Sequence, residues 1–245
     1  MSLQKRKVRE EYRLFIAEGD KIVREILASG LEVKTLVCKP EYLAGIPSDV
    51  KERIEEILPV KYEELKQLSS LSTPHNAMAV VRMTEHEMDM EEITRDIIPA
   101  LDFIQDPGNM GTIIRAAGWF GIKNMVCSLN CVDIYNPKVI QATMGAFLNV
   151  KVHVCDLSEF LSSAQKKEVP VYGTVLDGES VYNHSLGRRG IILIGNESRG
   201  ISEELLTFVT DRITIPKFTD SKYGIESLNA GMAASIIFSE FRRRG

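Results

Sequence analysis

The sequence lacks several features that define common protein classes. It has no apolar run long enough to span a bilayer, and no hydrophobic segment of a secretory signal follows the basic stretch near its start. The dinucleotide pattern G-x-G-x-x-G and the phosphate-loop pattern G-x-x-x-x-G-K-[ST] are both missing. A net charge of −4 argues against a sequence-independent nucleic-acid coat. We therefore expect a cytoplasmic globular protein with no membrane partner.

Residues that bind metals or act as nucleophiles are also scarce. The four cysteines lie in apolar sequence surroundings, which predicts buried, reduced thiols: Cys38, Cys127, Cys131 and Cys155. No Cys or His cluster has the spacing of a metal site, so we expect no metal. The four histidines lie outside the loops described below, and no Ser/His/Asp order fits a catalytic triad.

The first third of the chain reads as a small α/β unit. Residues 18–30 predict a helix that ends at Gly30, residues 32–38 a strand, and residues 76–83 a closing strand. Ser48 is a good N-cap for an amphipathic helix over residues 48–58. We predict a domain over residues 1–83 and a linker over residues 84–98, where the acidic, Met-rich sequence also allows a solvated helix.

From Pro99 onward, apolar runs typical of buried strands alternate with helical ones. This alternation predicts an α/β domain over residues 99–245 with a mostly parallel sheet covered on both faces. Ligands of such sheets bind at the carboxyl ends of the strands. Functional residues are therefore expected in the strand–helix loops.

Three of these loops carry polar residues that a purely structural loop does not need. The first, residues 105–111, contains Asn109 and precedes a helix with one arginine, Arg115, which either serves a ligand or covers Trp119. The second, "GNESRGIS", places Glu197 just after a buried strand, where a carboxylate normally needs a partner, although an exposed turn is the alternative.

The third loop ends at "ESLN", where Ser227 and Asn229 are either functional or simply the first residues of a helix. That helix is rich in small residues, which suits close packing within the monomer or against a second subunit. A site built from Asn, Arg, Glu and Ser, without a strong nucleophile, suits a reaction whose reagent is already activated. Methyl transfer from a sulfonium is such a reaction.

Three segments in this order, "NMGTIIRAA", "LIGNESRGIS" and "IPKFTDSKYGIESLNAGMAA", resemble the SpoU (TrmH-type) RNA ribose methyltransferases of the SPOUT class. The resemblance covers residues 99–245, and residues 12–83 look like the small substrate-binding domain of that family, which is similar to an RNA-binding ribosomal protein. One departure is visible: Ser198 stands where the family usually has Gly after the Glu. We expect the turn to survive if Ser198 has a negative φ.

The resemblance implies a deep C-terminal trefoil knot, a homodimer, and a pocket for S-adenosylmethionine within the knot. It implies catalytic roles for Arg115, Asn109, Glu197, Ser227 and Asn229. Glu197 would fix the motif loops or pair with Arg115. The cofactor-binding residues that it implies are Thr174, Leu176, Ile194, Gly195, Asn196, Gly200, Ile215, Ser227 and Leu228.

The implied reaction is methylation of a ribose 2′-hydroxyl in structured RNA. The auxiliary domain favours ribosomal RNA, and the alternatives are a tRNA methyltransferase and a non-catalytic RNA-binding paralogue. The predicted RNA contacts are Lys5, Arg6, Lys7, Arg9, Arg13 and Arg115. Because guanidinium keeps its proton, a role for Arg115 in binding phosphate and stabilising the developing oxyanion is preferred to a role as base.

Overall fold

A computed structural model describes residues 2–219 and 227–244. The chain divides into two compact units, the first made of residues 1–85 and 133–148 and the second of residues 86–132 and 149–245. The helices are α1 (Arg6–Tyr12), α2 (Asp20–Ser29), α3 (Pro40–Ala44), α4 (Ser48–Lys51), α5 (Tyr62–Leu68), α6 (Met90–Ile93), α7 (Pro107–Trp119), α8 (Pro137–Thr143), α9 (Leu157–Gln165), α10 (Glu203–Leu206) and α11 (Ala230–Arg244). The strands are β1 (Leu14–Glu18), β2 (Val33–Cys38), β3 (Glu56–Pro59), β4 (Ala77–Arg82), β5 (Ile97–Leu101), β6 (Asn124–Ser128), β7 (Lys151–Cys155), β8 (Val171–Ser180), β9 (Gly190–Ile194) and β10 (Asp211–Thr214).

The first unit is built on a four-stranded sheet in the order β1-β4-β2-β3. The outer pair β2 and β3 is parallel, and the other pairs are antiparallel. The predicted helix over residues 48–58 is wrong beyond its first turn, since α4 ends at Lys51 and Glu56 begins β3. Hydrogen-bonded pairing with β2, which places Ile57 opposite Leu36, outweighs the amphipathic helical pattern there.

A segment from the middle of the chain completes the first unit. The sequence assigned residues 133–148 to the domain over residues 99–245, whereas they pack in the core around Phe15. The ring of Tyr135 lies 4.9 Å from that of Phe15, and Phe147 meets Phe15 edge-on at 5.8 Å. Ile140 of α8 is fully buried in the same core. The first unit is therefore assembled from two separate stretches of sequence.

The second unit contains a six-stranded sheet in the order β10-β8-β9-β5-β6-β7, with every adjacent pair parallel. The parallel sheet expected from the alternation of apolar runs is thus confirmed. Strands β5 and β9, at its centre, are buried at every residue, which explains why their sequences show no polar alternation. The carboxyl ends of β5 and β9 lead into the first and second polar loops.

Within the predicted linker, α6 is a short helix whose N-cap, Asp89, accepts a hydrogen bond from the backbone N–H of Glu91. Over residues 2–219 and 227–244, every helix is too short or too polar to cross a membrane. In the third polar loop, residues 220–226 lie outside the described residues, whereas Ile215, Ser227, Leu228 and Asn229 lie within them.

Candidate active site

A cavity of about 440 Å³ lies at the carboxyl edge of the parallel sheet, next to the end of β9. Its wall comes from the second and third polar loops, from β8 and β10, and from the start of α11. The wall includes every residue that the sequence assigned to the cofactor: Thr174, Leu176, Ile194, Gly195, Asn196, Gly200, Ile215, Ser227 and Leu228. Three separate parts of the chain thus meet around one ligand-sized space.

Backbone groups form the tightest part of this wall. Asn196 and Gly200 exchange two backbone hydrogen bonds, of 3.0 and 2.8 Å, which close the second loop into a compact turn. A Cβ atom on Gly195 would lie 2.2 Å from the carbonyl carbon of Gly200, so only glycine fits there. Ser198 is not among the residues with positive φ, whereas Gly200 has a φ of 70°. The serine that departs from the family pattern is therefore accommodated as expected.

The second loop is anchored to β5 by a buried carboxylate that the sequence analysis did not single out. Asp102 directly follows β5 and is 5% exposed. Its Oδ2 accepts hydrogen bonds from the backbone N–H of Ser202 at 2.8 Å and from the Ser202 hydroxyl at 2.5 Å. Ser202 is the N-cap of α10, but its side chain makes no capping bond. A polar residue at the end of a buried strand was the signal available in the sequence.

A polar network joins the three loops beside the cavity. Glu197 Oε1 accepts from Asn109 Nδ2 at 2.5 Å, from Asn229 Nδ2 at 3.2 Å and from the backbone N–H of Ala230 at 3.0 Å. Asn229 Nδ2 also donates to Asn109 Oδ1 at 2.6 Å. Glu197 was predicted either to fix the motif loops or to pair with Arg115, and the structure shows the first of these. One carboxylate therefore binds two asparagines, which are separated from it by 88 and 32 positions in the sequence.

Helix ends position the two asparagines of this network. Asn109 sits in the first turn of α7, and its backbone N–H donates to the N-cap carboxylate of Asp106 at 2.8 Å. Asn229 precedes α11, and its Oδ1 accepts from the backbone N–H of Met232 at 3.2 Å, as an N-cap side chain does. Asn229 is thus an N-cap as well as a member of the network. Ser227 is exposed and lines the cavity.

Arg115 lies on the exposed face of α7. Trp119, one turn later, is 85% exposed, so the arginine does not cover the indole from solvent. Among residues 2–219 and 227–244, the guanidinium has no hydrogen-bond or ion-pair partner, and it is not joined to Glu197. Its charge is available to a ligand or to another chain.

The predicted RNA contacts in the first unit need one correction. Lys5, Arg6, Lys7 and Arg13 are exposed, although Arg6 pairs with Glu10 and Arg13 with Glu85. Arg9 is 1% exposed, so the prediction that it contacts phosphate is wrong. Its guanidinium donates to Asp133 Oδ2 at 2.8 and 2.5 Å and to the carbonyl oxygens of Leu3 and Gln4 at 2.8 and 2.9 Å.

The cysteines lie apart from this network. Cys38, Cys127 and Cys131 are buried and Cys155 is half-buried, and all four are free thiols. A hydrogen bond with Cys127 lowers the pKa of Cys131 to about 7, against the opposite effect of burial. The part of the chain that the structure describes holds no group of three or more His, Cys, Asp or Glu placed to bind a metal ion.

Comparison with known proteins places the chain in a family. The SpoU rRNA Methylase family matches residues 96–239, more than half of the chain. The chain belongs to this family. The MRM3-like substrate binding domain matches residues 1–79. The SpoU assignment therefore covers the cavity and its polar network, and the second match falls within the first unit.

Relatives of this SpoU family protein match along nearly the whole chain. The 23S rRNA (guanosine(2553)-2′-O)-methyltransferase RlmP of Bacillus subtilis is 29% identical over 98% of this chain and 93% of its own length. A solved structure assigned to the TrmH family of RNA methyltransferases, from Porphyromonas gingivalis, is 34% identical, with a TM-score of 0.87 over 99% of this chain and 95% of that one. An AdoMet-bound rRNA methyltransferase from Sinorhizobium meliloti is 26% identical, with a TM-score of 0.86 over 98% and 91%.

Proposed function

We propose that this protein transfers a methyl group from S-adenosylmethionine to a ribose 2′-hydroxyl of ribosomal RNA. The observation that supports this most strongly is the cavity at the sheet edge, whose wall contains all nine predicted cofactor residues beside the Asn109–Glu197–Asn229 network. A volume of about 440 Å³ is within the range of pockets for small ligands and cofactors. The similar structure from Sinorhizobium meliloti is described as AdoMet-bound.

The residues of the cavity suit this cofactor. Leu176 and Leu228 offer apolar surface to a purine, and the backbone around Gly195 can approach a ligand closely because no Cβ intervenes. The cofactor supplies a methyl group already activated on a sulfonium. The protein then has to bind, orient and stabilise charge, and no side chain has to act as a strong nucleophile.

Arg115 is proposed to bind the target phosphate and to stabilise the 2′-oxyanion as it forms. A guanidinium stays protonated in proteins, so Arg115 provides positive charge rather than removing a proton. Glu197, Asn109 and Asn229 are proposed to hold the three loops in register and to orient the nucleotide. Ser227, exposed at the cavity wall, is proposed to contact ligand directly.

Ribosomal RNA is favoured over tRNA because the relatives named for rRNA match more of this chain. Relatives named for rRNA, such as RlmP and the mitochondrial rRNA methyltransferase 3 of Mus musculus, match 98% and 99% of this chain. A structure described by 2-OH methylation of C/U34 on tRNA covers 60% of it, with a TM-score of 0.53. Such a match leaves much of the chain unaccounted for. We propose that the first unit selects the rRNA and that the enzyme acts in the cytoplasm.

The decisive experiment maps ribose methylation across total RNA from cells with and without this protein. Loss of one rRNA site, restored by the wild-type chain and not by Arg115→Ala, is expected. A lost tRNA site instead would establish the alternative substrate. A non-catalytic paralogue would leave every methylation in place, and calorimetry would then show no binding of S-adenosylmethionine.

The exposed basic residues at the start of the first unit are proposed to contact RNA phosphates. Changing Lys5, Arg6, Lys7 and Arg13 to Gln together should weaken RNA binding and flatten its salt dependence by up to about four units of the log–log slope. The two that are ion-paired should contribute less than the two lysines. A salt slope equal to that of the wild type would remove this surface from the proposal.

A homodimer and a knotted catalytic domain complete the proposal, with RNA selection assigned to the first unit and catalysis to the second. The exposed apolar side chains of Trp119 on α7 and Met232 on α11, 85% and 58% exposed, support burial against a second copy. Sedimentation should give a dimer for the wild type and a monomer for Trp119→Glu. Mechanical unfolding from both ends should give a contour length shorter than that of an unknotted chain.

A further inference from the structure

Two arginines line the cavity, and they differ in their partners. Arg212 Nη2 donates to both carboxylate oxygens of Asp177, at 2.6 and 2.9 Å. Arg199 has no ion pair with any residue in the ranges 2–219 and 227–244, and its guanidinium carbon lies 4.9 Å from the centre of the Phe103 ring. Of these two charges, that of Arg199 is the one left for an anionic ligand.

The aromatic platform under Arg199 is held in an unusual conformation. Phe103 has a φ of 59°, a value that residues with a side chain rarely adopt. Its backbone N–H donates to Ser128 Oγ at 3.1 Å, and its carbonyl accepts from Asn196 Nδ2 at 3.0 Å. The same Asn196 accepts, through Oδ1, the backbone N–H of Arg199 at 3.2 Å. One amide side chain therefore fixes both the ring and the arginine that stacks on it.

Arg199 is exposed as well as part of the cavity wall, so its guanidinium is accessible from solvent. Phe103 is not among the residues that line the cavity. It lies in the loop between β5 and α7, three residues before Asp106, the N-cap of the helix that carries Asn109 and Arg115. A cation that is exposed at the cavity wall can contact a macromolecule that binds over the cavity.

We propose that Arg199 is an RNA-positioning contact that binds a phosphate flanking the methylated nucleotide, an inference that rests on the proposed function. A guanidinium stacked on an aromatic ring keeps its in-plane N–H groups free, and these match the oxygens of a phosphate in a bidentate arrangement. Arg199 and Arg115 would then hold the RNA from two motif loops. The target ribose would then lie between two cations.

The test compares Arg199→Gln, Arg199→Lys and Phe103→Leu with Arg188→Gln, a control that removes an exposed arginine outside the three polar loops. The substrate is total rRNA from cells lacking the protein. Steady-state methyl transfer gives KM and kcat, filter binding at several salt concentrations gives the salt slope, and calorimetry gives the affinity for S-adenosylmethionine.

For Arg199→Gln we expect KM for rRNA to rise roughly tenfold and the salt slope to fall by about one, with cofactor affinity unchanged. Arg199→Lys should recover the salt slope but only part of the KM, because the charge remains and the planar fork is lost. Phe103→Leu should keep the slope and raise KM. Arg188→Gln should match the wild type.

Two results would overturn the proposal. One is an Arg199→Gln variant whose KM for rRNA and salt slope equal those of the control. The other is a selective loss of cofactor affinity, together with a lost preference for S-adenosylhomocysteine over 5′-methylthioadenosine, which would assign Arg199 to the cofactor carboxylate. If the wild type transfers no methyl group to rRNA, the proposed function fails, while the salt slope still tests the phosphate contact.

Discussion

Removing the Arg9 side chain is expected to destabilise the first unit far more than removing its neighbour Arg6 on the same helix. Arg9 is 1% exposed and donates four hydrogen bonds, two of them to Asp133, whose side chain is 13% exposed. Arg9→Met leaves the Asp133 carboxylate without its charged partner and removes the donor to two backbone carbonyls, although the backbone N–H of Tyr135 still donates to Asp133 Oδ1. Breaking one partner of a buried ion pair costs about 3–5 kcal/mol.

Arg6→Met is the matched control. Arg6 pairs with Glu10 at 2.7 Å, but both side chains are more than half exposed, so solvent screens the pair and its loss should cost about 0.5 kcal/mol or less. With a urea m-value of about 2 kcal/mol/M for a unit of this size, Arg9→Met should lower the unfolding midpoint by about 2 M. The Arg6→Met midpoint should move by about 0.3 M or less.

The assay follows urea unfolding by circular dichroism, with hydrogen exchange of the β1 and β4 amides to assign the transition to the first unit. Replacing both partners, Arg9→Met with Asp133→Leu, should recover much of the loss, because no charge is then left buried. Equal midpoints for Arg9→Met and Arg6→Met would contradict a buried, stabilising role for Arg9. A double variant that is no more stable than Arg9→Met would contradict it as well.

Three further substitutions test the site and its surroundings. Gly195→Ala should abolish cofactor binding in calorimetry because its Cβ overlaps Gly200, while Gly45→Ala, with no contact closer than 3.5 Å, should bind normally. Glu197→Gln should lower kcat by about 10²-fold, since its amide no longer provides a charged acceptor for three donors; an unchanged kcat contradicts this. Burial, and then His86, lower the pKa of His153 below 6.5. The folded protein therefore favours the neutral imidazole, and its thermal stability should fall as the pH drops below 6.5. His153→Gln has no imidazole to protonate, so its thermal stability should fall less over the same pH range.

Much of the second unit could be predicted because its local signals agree with its tertiary structure. The apolar run that became β9 and the helix that became α7 are recognisable from composition and spacing, and parallel strands bring their carboxyl ends to one edge. The meeting of the three polar loops follows from that topology. The central position of Glu197 in the polar network does not follow from the topology, because the asparagines that donate to Glu197 lie far away in the sequence.

The first unit was less predictable because its decisive contacts also join residues that lie far apart in the sequence. Arg9 looks like a surface cation in "QKRKVRE", and only the fold shows that Asp133, 124 residues later, takes up its charge. The helix expected over residues 48–58 had a suitable N-cap and amphipathic spacing. Its second half became β3 because β2 offered an open edge, which no local pattern reveals. Asp102 was visible as a polar residue after a strand, but its hydroxyl partner was not.

The contribution of residues 133–148 to the first unit constrains how the protein is made and how it can be divided. During synthesis, the core around Phe15 cannot close until residue 148 has left the ribosome, so the first unit waits for sequence that follows β6 of the second. A fragment over residues 1–85 would lack Tyr135, Ile140 and Phe147 from its core. A fragment over residues 86–245 would expose those same apolar side chains and is expected to aggregate. Testing the proposed division between RNA selection and catalysis therefore requires point substitutions rather than truncation.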